Sequence, residues 1–204
     1  MNKSEDGLAG IVAEMFVFWT MKSLHDNSHM NVCDFFGSVI DKDLKIDLIW
    51  NDEKMQIWHG DVKGSIKHSN CSIEPKHPFF CQKDNNYVVI FPFRDEKCIY
   101  VVNAKALKED VLNKKQPKRT LKEDRKTYSY YYVVEPNDMN FINKGDLYVI
   151  PIVGKHKTFG EFFKSHFKGD EIEKMTEEEI VLYAKGYISD VCKDAIMNYD
   201  VPED

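Results

Sequence analysis

The stretch that decides the fold is Ile57-Trp58-His59-Gly60-Asp61-Val62-Lys63-Gly64-Ser65, with Ile46-Asp47-Leu48-Ile49-Trp50 shortly before it. Both runs are rich in aliphatic and aromatic residues. Asn51-Asp52-Glu53-Lys54 between them has turn chemistry, so the pattern predicts a hairpin of strands over 45–50 and 55–63. Residues two apart on a strand share a face, so Asp61 and Lys63 point the same way, preceded on that face by Met55 and Ile57. A face that starts apolar and ends in a carboxylate and an ammonium has the form of the rim of a polar site. Asp47 lies on the neighbouring strand, fourteen residues before Asp61. Two carboxylates from adjacent strands suit Mg²⁺, a hard cation that takes oxygen ligands and keeps several waters. Such a metal polarises a phosphoryl oxygen and makes bound water a better nucleophile. A nearby lysine orients that water or stabilises developing charge. These are the parts that phosphodiester hydrolysis needs.

A geometric condition follows. With a two-residue loop at Asp52-Glu53, Asp47 would pair with Trp58 and face away from Asp61. The site therefore requires an odd-length connection or a β-bulge, for which Gly60 is a candidate position. The Asp47 and Asp61 carboxylates are then expected to converge to roughly 4–6 Å. Opposite faces would end the reading.

Upstream, 5–25 reads as a helix whose apolar residues (Leu8, Ile11, Val12, Met15, Phe16, Phe18, Trp19, Met21) surround most of its circumference, as in a buried helix. Gly7, Gly10, Ile11, Glu14, Val17, Phe18 and Met21 share one stripe. A glutamate there is costly unless something compensates it. Gly7 and Gly10 would let the helix backbone approach a neighbour closely.

A helix with Gly10 and Glu14, a strand with Asp47, then a strand with Asp61-Val62-Lys63 followed by Gly64-Ser65, resembles the PD-(D/E)xK nuclease superfamily, which includes restriction-type endonucleases and Holliday-junction resolvases. The resemblance covers roughly residues 7–103, with Ile46 in place of the motif's proline. It implies Asp47, Asp61 and the Val62 carbonyl as ligands of Mg²⁺ or Mn²⁺, and Lys63 as the catalytic lysine. Glu14 would be an accessory acid of the resolvase kind. It also implies an α/β fold, a central mixed β-sheet flanked by helices in a restriction-endonuclease-like core. The implied function is a metal-dependent DNA endonuclease, with a homodimer among the options. The alternatives from other classes are a non-catalytic interaction or regulatory protein that keeps the fold, and a nuclease directed at RNA. The plainer readings of the same residues are a solvated Asp61–Lys63 ion pair, a strand-start Asp47 and a Glu14 that reaches solvent.

The rest of the chain reads as strands over 30–36, 87–93, 98–102, 128–134 and 147–153, and helices over 104–113, 158–167 and 176–198. Pro92 marks a strand end or an edge. The 204 residues fit one domain: a core over 1–103, a basic segment with further strands over 104–169, and an acidic helical tail over 170–204. The net charge of −6 argues against indiscriminate coating of nucleic acid. Its distribution matters more. Residues 105–126 carry nine cations against four acids, and 170–204 carry eleven acids against three lysines, which leaves +2 over the first 169 residues. Lys114, Lys115, Lys118 and Arg119 are candidate phosphate contacts. Tyr128, Tyr130, Tyr131 and Tyr132 either stack on bases or form a strand with one face in the core. His68, Cys71, His77 and Cys81 supply enough nitrogen and sulfur for a zinc, but the central spacing is short and Pro75 and Pro78 interrupt it, so zinc is not the favoured reading. Five cysteines, with no pair spaced as CxxC, and an acidic start without a secretory pattern point to a reducing cytoplasm and no membrane partner.

Overall fold

In the computed structural model the described residues are 5–25, 32–34, 36–52, 54–77, 86–122, 127–167 and 176–198. The chain runs α1 (Glu5–His25), β1 (Val32–Asp34), α2 (Val39–Leu44), β2 (Leu48–Asn51), β3 (Ile57–Val62), β4 (Cys71–Ile73), β5 (Tyr87–Phe91) and β6 (Cys98–Asn103). Then come α3 (Ala104–Ala106), β7 (Lys118–Lys122), β8 (Thr127–Val134), β9 (Leu147–Pro151), α4 (Phe159–His166), α5 (Glu177–Tyr183) and α6 (Ser189–Met197). α3 continues through a wider turn at Leu107–Val111 and a tighter one at Leu112–Lys114, and a wide turn at Ala184–Ile188 joins α5 to α6.

The architecture is α/β, as expected. Six strands form a mixed sheet in the order β1-β2-β3-β5-β6-β9, with β3 and β5 parallel and the other pairs antiparallel. β5 is central and buried at every position, and Pro92 follows its last residue, so the proline marks a strand end. A second sheet has the order β4-β8-β7. Its β4 lies inside the chain segment that crosses from β3 to the parallel β5.

The central part of the large sheet is buried on both sides. On one side Leu48, Trp50, Val62, Val88, Ile90, Ile99 and Val101 pack with Phe16 and Val17 of α1, Phe162 and Phe163 of α4, and Ile188 and Cys192 of the C-terminal helices. The Phe16 and Phe162 ring centroids are 4.8 Å apart. On the other side Tyr87, Val89, Phe91 and Val102 pack with Ala106, Leu107, Val111 and Leu112, and with Cys71, Ile73 and Val134 of the second sheet. Helix α1 is buried nearly all round, as its composition requires: Ala9, Val12, Ala13 and Val17 are inaccessible to solvent.

Several boundaries differ from the sequence reading. The strand expected over 30–36 is seen over 32–34, and the helix expected over 104–113 is only briefly α-helical. Residues 118–122 form a strand that the sequence pattern does not mark, because β8 supplies partners for every one of them. Part of the acidic tail lies outside the described residues. Its described helices lie on α1, where the Trp19 indole donates to the Ser189 hydroxyl at 3.1 Å. Among the described residues no helix is long and apolar enough to cross a membrane.

Candidate active site

The hairpin that opened the sequence reading is present, with its phase set by its connection. The register is Leu48↔Gly60, Ile49↔His59, Trp50↔Trp58 and Asn51↔Ile57. That leaves 52–56 as the connection, an odd number of residues. Asp52 organises it: its carboxylate accepts the N–H groups of Lys54 and Gln56 at 2.9 Å and the Trp58 indole N–H at 3.1 Å. The indole and backbone donors hold the Asp52 carboxyl below its ordinary value. Met55 adopts a left-handed backbone, φ +60°, to close the loop.

At the other end of the ladder there is a bulge. Gly60 pairs with Leu48, and its carbonyl also accepts the Asp47 N–H at 2.8 Å, so two residues of one strand face one of the other. Gly60 is thus opposite the bulge. A side chain there would press on Trp50 and Ile90, with a Cβ 2.8–2.9 Å from their atoms. The bulge carries the Asp47 carboxylate to the end of β3, where Oδ2 accepts the Val62 N–H at 2.5 Å. On either side of Val62, Asp61 and Lys63 form an ion pair, Nζ to Oδ1 2.6 Å, with the Asp61 side chain 1 % exposed and that of Lys63 23 %.

Glu14 reaches the same place from α1. The close approach that brings it there is not made by Gly10: a Cβ on that residue would meet nothing within 4 Å, which corrects the expectation for it, and the Gly7 side of that expectation lies outside the described side chains. The approach is made by Gly64, immediately after Lys63, where a Cβ would overlap that of Ala13. The helix therefore lies against the end of β3 one residue before Glu14.

The electrostatics follow from burial. Asp47 is pushed up to about 8, first by burial and then by the charge of Asp61, against the pull of Lys63 and the Val62 N–H. Glu14 is raised well above the usual carboxylate range by burial, then by Asp47 and Asp41, and Asp61 is raised chiefly by burial. Burial pulls Lys63 down, but Asp61, Asp47 and Glu14 outweigh it and the net shift is upward, so the ammonium keeps its proton. Glu14 Oε2 and Asp61 Oδ2 are buried without a hydrogen-bond partner. Unsatisfied buried oxygens are costly and mark a place where a further group belongs. All the atoms concerned are hard oxygen donors, which suits Mg²⁺ or Mn²⁺. As the side chains stand, Asp61 points at the Lys63 ammonium and Asp47 at the Val62 N–H. Among the described residues no three His, Cys, Asp or Glu side chains form a metal-holding group.

No family model matches this chain, and no curated protein or solved structure matches it either.

The structure also places the other sequence candidates. His68 is exposed, Cys71 and His77 are buried, and Cys81 lies outside the described residues. The Cys71 thiol donates to the Lys63 carbonyl at 2.8 Å, and burial pushes it up to about 12. Lys115 is not free to meet a phosphate: its Nζ donates to the Val133 carbonyl at 2.9 Å and pairs with the buried Asp138. Lys114, Lys118 and Arg119 are exposed. The tyrosine run divides: Tyr132 packs on the core, whereas Tyr128 and Tyr130 are about half exposed. His59 packs its ring 5.4 Å from that of Tyr87.

Three neighbours of the site went unread in the sequence. His77 Nε2 lies 3.7 Å from Asp61 Oδ1, and burial, with Lys63 and Lys45, pushes its imidazole down to about 3, so it is neutral. The charge of Asp41 raises Glu14, Asp47 and Asp61, and that of Lys45 lowers Asp61. The His-Cys spacing drew attention to His77, but nothing in the sequence pointed to its place beside Asp61. Asp41 and Lys45 carry no local signal, since α2 is six residues long and buries none of them.

Proposed function

We propose that this protein is a Mg²⁺- or Mn²⁺-dependent endonuclease that hydrolyses DNA phosphodiester bonds, with a core of the PD-(D/E)xK kind. The observation that carries this reading is the gathering of two buried carboxylates, Asp47 and Asp61, and the half-buried Glu14 around one charged lysine at the end of the β2–β3 hairpin. Asp47, Asp61 and the Val62 main chain would hold the metal, with Glu14 as a further oxygen. The bound cation would supply Lewis-acid polarisation of the scissile phosphate and a water of lowered pKa.

The chain's own residues do the remainder. The Asp47 bond to the Val62 N–H ties Asp47 to the strand end next to Asp61. Lys63 stays protonated beside Asp61 and places positive charge where the phosphate gains negative charge. Neutral His77 lies beside the same Asp61 oxygen as Lys63 without adding charge. In the reaction a water oxygen bonds to phosphorus, the ester P–O bond breaks, and the departing oxygen takes up a proton. Exposed Lys114, Lys118 and Arg119 support a polyanionic substrate. The unpaired thiols of Cys71, Cys98 and Cys192 support work in a reducing, cytoplasmic compartment.

The test is a cleavage assay on linear, supercoiled and branched DNA and on RNA with Mg²⁺ or Mn²⁺. It compares the wild type with Asp61→Ala and Lys63→Ala. Each substitution is expected to cost about 100-fold or more in rate. Activity that survives both rules out this site. One observation favours a second reading, a non-catalytic protein that keeps the fold: the 2.6 Å Lys63–Asp61 pair closes the site on itself. Absence of cleavage on every substrate, with the fold intact, would select it.

A further inference from the structure

The second sheet has a feature that the catalytic reading does not use. Residues 128, 130, 132 and 134 of β8 share one face. At one end that face is core: Val134 is inaccessible and Tyr132 packs against the buried cluster under β5. At the other end the same face runs off the globule, and Tyr128 and Tyr130 are 52 % and 50 % exposed. Arg119 pairs across the ladder with Tyr130, and its guanidinium lies over the Tyr128 ring, 4.2 Å from the centroid. The strand that carries Arg119, Lys-Arg-Thr-Leu-Lys, has three cations and no acid, and β8 beside it has no charge at all. Two half-exposed aromatic rings beside the Arg119 guanidinium complement a ligand that presents flat π-faces along a polyanionic backbone.

The face also leads to the candidate active site. Val134 pairs with Cys71, whose thiol is bonded to the Lys63 carbonyl. Tyr128 lies six residues from Val134 along β8, about 20 Å at roughly 3.4 Å per residue. That span matches a run of several nucleotides. A duplex keeps its bases stacked and hidden, so only an unpaired strand offers them to tyrosine rings.

We propose that the β7–β8 hairpin is a binding arm for unpaired DNA strand, with bases stacked on Tyr128 and Tyr130 and Arg119 held between them against the backbone. The choice of DNA as ligand rests on the nuclease reading. The arm would give that site a substrate class: DNA with a single-stranded end, flap or branch next to the bond that is cut.

The experiment measures fluorescence anisotropy of the full chain in EDTA, so that binding is read without cleavage. The probes are a labelled oligothymidylate of about 15 nucleotides, long enough for such a groove, the same strand in a duplex, and the matching oligouridylate. The wild type is expected to prefer the single DNA strand. Tyr128→Ala with Tyr130→Ala should weaken that binding by about 10-fold or more, whereas the two Tyr→Phe changes should keep it within about twofold. Arg119→Ala should reduce the slope of log affinity against log salt by about one. It also serves as the second variant if the tyrosine pair fails to fold, as judged by thermal melting. Unchanged affinity in the alanine pair overturns the proposal, as does an unchanged salt slope in Arg119→Ala. So does preference of the wild type for duplex or for the RNA strand. Failure of the arm with cleavage intact leaves the nuclease reading standing. Strand binding without cleavage on any substrate does the reverse.

Discussion

Among the described residues, two aspartate–lysine pairs differ in what they leave undone. Asp138 and Lys115 clamp the turn after β8. The Asp138 carboxylate accepts the Glu135 N–H at 2.7 Å as well as the ammonium, and Lys115 also reaches the Val133 carbonyl. The surrounding turn carries a reciprocal cap between Glu135 and Asp138. Asp61 and Lys63 are buried to a similar degree, yet one Asp61 oxygen has no partner and two further carboxylates, Glu14 and Asp47, stand beside them. The first pair is a closed account of donors and acceptors. The second crowds more carboxyl groups than one lysine partners, so Asp47 and Glu14 are held toward their protonated forms, and that surplus is what a structural ion pair does not need.

The comparison can be broken most directly by truncation. Asp138→Ala leaves Lys115 half-buried without its partner and removes a cap, so it should cost about 3–5 kcal/mol of stability in urea denaturation. Glu14→Gln should cost nothing, or raise stability without metal, because it removes one member of the crowded acid cluster. If Glu14→Gln destabilises as much as Asp138→Ala, the two sites are alike and the contrast is wrong.

The pH dependence sharpens the same point. Asp47 titrates near 8 when folded against 3.8 when free. The folded chain therefore holds a proton over that range that the unfolded chain has released. This contribution is fully present below about pH 4 and is lost as pH rises through about 8. In EDTA the melting temperature should fall by several degrees between pH 5 and pH 8, and Asp47→Asn should flatten that fall. A steeper fall in Asp47→Asn would remove the premise.

Divalent cation should act in the opposite sense. At ten times its dissociation constant Mg²⁺ should add about 1.4 kcal/mol at pH 8, an effect absent from Asp47→Asn. Equal stabilisation of both proteins would place the cation elsewhere. The smallest expected effect concerns how Glu14 is held. Gly10→Ala meets open space in a helix interior and should stabilise by about 0.5–1 kcal/mol without altering cleavage. Loss of cleavage there would return the close approach to α1's own glycines.

What the sequence made legible was what periodicity encodes. Helix α1, the β2–β3 hairpin and the β5–β6 pair each carry their apolar pattern locally, and the Asp-x-Lys spacing marks the site on it. β4 and β7 were missed because three residues, or a strand of mostly charged ones, become β only through the partner β8 offers. Lys115 was misread for a related reason. A lysine in a basic run looks solvated until a distant Asp138 is folded against it. His77 came to Asp61 by the same long-range route.

The connection at 52–56 has a consequence for the lineage of the chain. It behaves as a counter. Adding or removing one residue there would shift the pairing by one and turn Leu48 and Trp50, or Asp61 and Lys63, to the wrong side of the sheet. Changes of two would preserve the phase. Insertions and deletions that kept the site would therefore have accumulated here in even steps, or together with a displaced bulge. A distant relative would be recognisable by that parity even where no residue of the loop had survived.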